Sequence, residues 1–229
     1  MKAFILAAGL GERLSPLTDT KPKPLIEVGG SPLIYWHINK LREAGITDFV
    51  INCHWLAEQL IDSLGDGSKF GINIVWSHEP ELLNIGGGIA AALPLLGEQP
   101  FALVSADIWT DFDYSWLTGV QLADRSASLV VVPAPDFAPQ GDFVLGANNH
   151  LRLHGSEGPP VTYAGIGVLH PRWVKEWTGE SGNSAFSWIG PLRQAVEQQR
   201  IAAHLFEGRW TDVGTPERLA HLERELNQT

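Results

Sequence analysis

The 229-residue chain has a single cysteine, Cys53, so it can form no intramolecular disulfide and offers no thiolate cluster for a metal. Basic side chains are scarce. Sixteen Lys and Arg face 26 Asp and Glu, a net charge of −10. Nucleic acid and anionic membranes both select basic faces, so neither is expected as a partner. No apolar run is long enough to cross a bilayer. The opening stretch, residues 3–10 after Lys2, is short for a signal-peptide core and is interrupted by Gly9, Gly11, Glu12 and Arg13. It is expected to be a buried first strand, in a cytoplasmic protein. The eight histidines show no metal-ligand pattern. What the chain does have is apolar bulk: 44 % of residues are hydrophobic, and nine tryptophans supply large pieces for a core.

Through the first half, short apolar runs alternate with amphipathic stretches. Residues 3–8, 48–52, 72–76 and 101–105 are apolar without strict alternation, as strands covered on both faces are. Between them, 32–44 and 55–64 carry helical spacing; Leu33, Trp36, Ile38 and Leu41 lie close to one face, and Ala44-Gly45 supplies the stop. Such intervals mean βαβ units and a parallel sheet with helices on both sides. Beyond Asp107 the pattern changes. Strands are expected at 129–132, 161–169 and 201–207, with short hairpin strands at 143–145 and 151–153 inside a Pro-, Gly- and Asn-rich region. Helices are expected at 188–199 and at 215–226, the second with Thr215 as N-cap and Pro216 in the first position. No repeat or linker interrupts the chain, so one domain over 1–229 is expected.

The most informative segment is Leu6-Ala7-Ala8-Gly9-Leu10-Gly11-Glu12-Arg13-Leu14, followed by Lys21-Pro22-Lys23-Pro24-Leu25. Glycines without Cβ after a buried strand let a polyanion approach the backbone N–H groups. Arg13 and Lys23 add the charge-assisted contacts that phosphate oxygens take. A dinucleotide fingerprint needs a third glycine where Leu14 stands and opens a helix directly, whereas Ser15-Pro16 breaks one here. A Walker loop needs Gly-Lys-Ser/Thr, which does not follow this strand. Gly-x-Gly alone is also compatible with a plain tight turn; the longer string with Arg13 and Pro-Lys-Pro is more specific.

That string resembles the signature of the sugar-phosphate nucleotidyltransferases (the NDP-sugar pyrophosphorylase family), Leu-Ala-Ala-Gly-x-Gly-x-Arg-Leu and then Pro-Lys-Pro. The resemblance continues through Gly86-Gly87, Asp107 and the run from Trp210 through Asp212 and Gly214 to Glu217. Within the family, the short chain, Gly65-Asp66-Gly67-Ser68 and the Trp109-Thr110-Asp111 after Asp107 are most similar to the branch that uridylylates N-acetylmuramate 1-phosphate in cell-wall recycling. The resemblance implies an α/β fold with a Rossmann-like mixed, mostly parallel sheet flanked by helices. It also implies a reaction in which UTP and a sugar 1-phosphate yield a UDP-sugar and pyrophosphate, with Mg²⁺ as cofactor. A guanylyl- or thymidylyltransferase for mannose or glucose 1-phosphate is the alternative chemistry, and a non-catalytic nucleotide-sugar sensor the alternative class.

Asp107 follows the strand at 101–105, and Asp212 lies in the last motif. In an open parallel sheet ligands collect beyond the carboxyl ends of the strands, where both aspartates could face the glycine loop. Mg²⁺ takes one or two carboxylates with phosphate oxygens and water, so two convergent aspartates suit it. Either residue alone reads as an ordinary loop or cap; their match to family motif positions points to metal ligands. By resemblance, Ala8, Gly9, Gly11 and Glu12 form the nucleotide loop, Arg13 meets the β,γ-phosphates, and Lys23 the phosphates at the reacting centre. Glu79 is expected to accept from N3–H of uracil or thymine, or from N1–H of guanine, with Gly86 and Gly87 of a base-binding loop donating to a carbonyl; a glycine turn capping a helix at 89–96, with Glu79 on the surface, is the plainer reading of the same residues. Asp142 and Gly165 match positions that meet sugar hydroxyls. A phosphate monoester is already largely dianionic near neutrality, with a second pKa near ~6, so the nucleophile needs no general base.

Overall fold

A computed structural model describes residues 1–178 and 184–227. In chain order, β1 (Ala3–Leu6) leads through the short α1 (Leu17–Thr20) and the small hairpin of β2 (Glu27–Val28) and β3 (Ser31–Pro32) into α2 (Leu33–Glu43). Then β4 (Asp48–Cys53), α3 (Ala57–Leu64), β5 (Asn73–His78), α4 (Asn84–Leu96) and β6 (Phe101–Ser105) complete the alternating half. The second half opens with β7 (Ile108–Thr110), α5 (Ser115–Gly119) and β8 (Ala127–Pro133), followed by β9 (Phe143–Leu145), β10 (Leu151–Arg152) and the long β11 (Pro160–Leu169). It ends with α6 (Pro171–Thr178), α7 (Ile189–Glu197), β12 (Ile201–Leu205), β13 (Trp210–Asp212) and α8 (Pro216–Leu226).

Strands β5, β4, β1 and β6 lie side by side and parallel; Phe4 of β1 sits opposite Val50 on one flank and Leu103 on the other. β11 runs antiparallel to both β6 and β8, β12 parallel to β8, and β9 with β10 extends the sheet beside the start of β11. This is the mixed α/β sheet that the resemblance implied. The period of two sorts its side chains. Ala3 and Ile5 pack with Ile34, Ile38 and Leu41 of α2 and Leu60 and Leu64 of α3, whereas Phe4 packs with Ile89, Ala92 and Leu96 of α4. A third cluster joins Leu14, Leu33, Trp109, Val213 and Leu222. It fastens β13 and α8 to the loop that follows β1, a contact on which the site depends.

Two boundaries differ from the sequence reading for a physical reason. β1 stops at Leu6, which frees Ala7 and Ala8 for the loop. α4 begins at Asn84, five residues before the helix expected from Ile89, and runs through Gly86, Gly87 and Gly88. Glycine disfavours helix by about 1 kcal/mol per residue, but tertiary packing decides here. A Cβ on Gly86 would lie 2.5 Å from the Phe186 ring, one on Gly87 2.6 Å from the Ser184 carbonyl, and one on Gly88 2.7 Å from Glu79 Oε1. The glycines let the helix and the segment at 184–188 close on one another.

Beneath β7 lies a buried polar pair. His37 of α2, 1 % exposed, has Nε2 2.9 Å from the Ile108 carbonyl and Nδ1 2.8 Å from the Tyr114 hydroxyl. A carbonyl only accepts, so Nε2 carries the proton and Nδ1 accepts from Tyr114. Burial, partly offset by the Ile108 hydrogen bond, pushes the imidazole down from its ordinary 6.5 to about 4. The folded value lies below the unfolded one, so the unfolded chain takes up this proton first as pH falls. The associated stability is complete above pH ~6.5 and drains away toward pH ~4, by up to roughly 3 kcal/mol. Urea unfolding between pH 7 and 4.5 is expected to show this slope and His37→Gln to flatten it; equal slopes in both proteins would remove His37 as its source.

Candidate active site

The carboxyl ends of β1, β4 and β6 open onto a cleft of about 580 Å³. Its floor is the loop after β1. Gly11 adopts φ +70°, and a side chain there would meet Thr18 at 2.8 Å and the Lys23 stem at 3.3 Å, so glycine is needed for the turn and for the passage of Lys23. A Cβ on Gly9 would meet nothing within 4 Å. The backbone there is open to a ligand. Ala8, Gly9, Gly11, Glu12, Arg13, Lys23, Glu79 and Asp107 all line the cleft, as the sequence led one to expect.

Lys23 sits in a tight turn between Pro22 and Pro24, and its Nζ reaches Asp107 Oδ2 at 2.8 Å. The lysine is 8 % exposed, while the aspartate side chain stays 44 % exposed to the cleft. Arg13 has no carboxylate partner among the described residues and remains a free cation at the rim. Asp212 does not line the cleft, yet β13 brings it close. The β13–β7 ladder pairs Asp212 with Ile108, and the Val213 N–H donates to the Asp107 carbonyl at 2.8 Å. Asp212 Oδ1 accepts from Arg218 Nη1 at 2.5 Å and from the Gly214 N–H at 3.2 Å. Each aspartate thus commits one oxygen to protein and leaves the other without a protein partner among the described residues.

Other expectations are placed differently. Gly86 and Gly87 do not line the cleft: the Gly87 N–H, expected to serve the base, donates to the Phe186 carbonyl at 3.2 Å. Leu82, Asn84 and Ile85 line the cleft where the glycines were expected. Asp142 and Gly165 also lie outside the lining residues. Asp142 Oδ2 accepts the Tyr163 N–H at 2.9 Å, which pins the hairpin to β11. Gly165, at φ +77°, forms the irregularity that bends β11, and its position backs onto Ser105, a cleft residue, where a Cβ would lie 3.0 Å away.

Sequence reasoning missed Asn52. Its Oδ1 accepts the Ala7 N–H at 2.7 Å, and its Nδ2 donates to Glu79 Oε1 at 2.7 Å. Glu79 Oε2 in turn accepts the Leu83 N–H at 3.0 Å, ahead of the N-terminus of α4. Asn52 is 3 % exposed and Glu79 1 %. This chain of bonds couples the loop after β1 to the start of α4 along the carboxyl ends of β1, β4 and β5. Asn52→Ala strands a buried carboxylate oxygen and a loop N–H, at a cost of about 3 kcal/mol. The melting temperature is expected to drop by several degrees and the nucleotide KM to rise; a variant as stable as the parent would show the bonds to be dispensable. Cys53, next in the strand, is buried; burial, with the Glu79 charge second, pushes its thiol up to about 11, so it supplies no thiolate.

Residues 2–141 match the family model described as nucleotidyl transferase. The chain belongs to that family. It is 45 % identical over 223 residues to the N-acetylmuramate alpha-1-phosphate uridylyltransferase of Neisseria meningitidis serogroup B, covering 96 % of this chain and 95 % of the relative. It is 31 % identical over 236 residues to the protein of the same name from Caulobacter vibrioides, covering 98 % and 96 %. Among solved structures, a putative glucose-1-phosphate thymidylyltransferase from Bacillus anthracis superposes with a TM-score of 0.87 at 20 % identity, over 100 % of this chain and 96 % of that one. At that identity the superposition shows the shared fold. As a nucleotidyl transferase, the chain carries its glycine loop, Lys23 and Asp107 in one cleft, and β13 and α8 bring Asp212 beside it. Among the described residues, no helix is long and apolar enough to cross a membrane.

Proposed function

We propose that this enzyme transfers the uridylyl group of UTP to N-acetylmuramate 1-phosphate, releasing pyrophosphate and forming the UDP-sugar, in the cytoplasm where UTP is made. The observation that carries the reading is the matched length and 45 % identity to the Neisseria enzyme, in a chain that keeps Arg13, Lys23, Asp107 and Asp212. The donor set suits a magnesium ion: the pairing of β13 with β7 brings the Asp212 backbone next to that of Asp107, and each carboxylate has an oxygen without a protein partner among the described residues, at the edge of the cleft. Asp107 and Asp212 would hold it, and when bound it neutralises charge on the phosphate oxygens.

The remaining chemistry falls to the chain itself. The loop from Ala8 to Glu12 presents backbone N–H groups to the triphosphate, and Arg13 supports the leaving β,γ-phosphates as charge moves onto them. Lys23, held by Asp107 beside the reacting phosphate, draws two anions into line. No proton need leave the sugar phosphate, so no general base is required. Glu79 keeps a second lone pair on each oxygen and accepts from uracil N3–H, which selects against cytosine, whose N3 offers no hydrogen. Asn84 and Ile85 flank the base in place of Gly86 and Gly87. The sugar lies along Ser105 and the bend at Gly165, towards Asp142.

Pyrophosphate release from UTP, GTP, dTTP and CTP, each offered N-acetylmuramate, glucose and mannose 1-phosphates with Mg²⁺, tests this reading. Release is expected with UTP and the muramyl substrate. Turnover with GTP and mannose 1-phosphate would keep the mechanism and overturn the substrates. Nucleotide binding without release from any pair would make the protein a sensor.

A further inference from the structure

We propose that Arg218 is a second leaving-group arginine, which holds pyrophosphate jointly with Arg13; the inference rests on the nucleotidyl transfer proposed above. A methyl group built on Gly214 would lie 2.5 Å from Arg218 Nη2, 3.1 Å from Arg13 Nη2 and 2.9 Å from Asp212 Oδ1. Two guanidinium groups from opposite ends of the chain therefore converge on one point. A single carboxylate, Asp212, stands there with them, and its Oδ1 already accepts from Arg218 Nη1 and the Gly214 N–H. One negative charge beside two positive ones leaves room for a further anion.

The local backbone makes the placement of Arg218 unusual. α8 begins after the N-cap Thr215, whose hydroxyl accepts the Arg218 N–H at 3.4 Å, so Arg218 lies in the first helical turn. The positive end of a helix dipole disfavours a cation and favours an anion. The side chain is nevertheless held in place. It is 16 % exposed, bonded to Asp212 and laid 4.3 Å over the ring of Phe137. A guanidinium fixed in this way has already lost much of its rotamer freedom, and its fork matches phosphate oxygens. Pyrophosphate offers enough oxygens to be gripped by both arginines at once. Lys23 is engaged at Asp107, towards the reacting phosphate, which leaves Arg13 and Arg218 for the leaving group. In the resting protein Asp212 occupies Arg218; a pyrophosphate arriving there takes over that hydrogen-bonding capacity.

The test is calorimetric titration of pyrophosphate into metal-free protein. Arg13→Met and Arg218→Met are each expected to weaken binding by about 10- to 100-fold, the loss of a charge-assisted hydrogen-bond pair. The double variant should lose less than the product of the two, because both side chains hold one anion. Arg218→Lys, which keeps the charge without the fork, should fall between. Asp212→Asn frees the guanidinium and is expected to tighten binding several-fold, an effect that a merely structural Arg218 would not produce. Melting curves for each variant separate loss of binding from loss of fold. With Mg²⁺ and both substrates, Arg218→Met should lower kcat and leave the sugar-phosphate KM unchanged. Unchanged pyrophosphate affinity in Arg218→Met, or a defect confined to the sugar-phosphate KM, overturns the assignment and leaves the proposed function standing. A wild-type protein that binds no pyrophosphate at millimolar concentration, with or without Mg²⁺, overturns both.

Discussion

Asp107→Asn is expected to lower kcat by about three orders of magnitude while the protein stays folded. The side chain is 44 % exposed and among the described residues is bonded to Lys23 alone, and an asparagine oxygen can still accept from that lysine. Stability should therefore change by no more than about 1 kcal/mol. What is lost, on the proposed reaction, is one of the two negative charges that would hold the metal, and electrostatic terms of this kind are worth several kcal/mol in a transition state. Steady-state kinetics at saturating Mg²⁺, paired with a melting curve, make the comparison. A variant that keeps kcat within tenfold would mean that Asp107 does not serve the metal, and its pairing with Lys23 would then be a structural contact.

The second large effect concerns Arg13. Arg13→Ala is expected to reduce kcat by about 10²- to 10³-fold, with the KM for UTP moving less than about tenfold. The reason lies in when charge appears. The β,γ-phosphates bind as anions in the ground state but gain negative charge as the bond to the α-phosphate breaks, so a cation placed on them favours the transition state more than the bound substrate. Arg13 has no carboxylate partner among the described residues, so its removal leaves no buried acid behind and should not unfold the protein. An unchanged kcat with a raised KM would show Arg13 to be a binding residue only.

The legible parts of this molecule were those in which chemistry and proximity coincide. The loop from Ala8 to Arg13 and the Lys23 turn lie within sixteen residues of one another, and the cleft assembles them as the motif implied. Asp212 is singled out in the sequence by its resemblance to the last motif. Its place beside Asp107 depends on the pairing of β13 with β7, a contact between segments about a hundred residues apart that no local pattern encodes. Gly86 and Gly87 show the opposite failure. Three consecutive glycines read as a loop, yet α4 runs through them, and Phe186, Ser184 and Glu79 leave no space there for side chains.

Asn52 reads in the sequence as one residue of a buried strand. A signal was present: in the run Phe49-Val50-Ile51-Asn52-Cys53 it is the one strongly polar side chain, and a buried amide needs partners. Arg218 carried a similar signal, a cation in the first turn of a helix whose N-cap was already identified. Both residues break a local preference; Asn52 lines the cleft, and Arg218 lies against Gly214, which does.

The most direct test of the central claim is ³¹P NMR of the wild-type protein with UTP, N-acetylmuramate 1-phosphate and Mg²⁺. The sugar phosphate signal is expected to be replaced by the paired diphosphate resonances of a UDP-sugar, with one pyrophosphate appearing for each. Orthophosphate in place of pyrophosphate, or UTP consumed while the sugar phosphate persists, would contradict that claim.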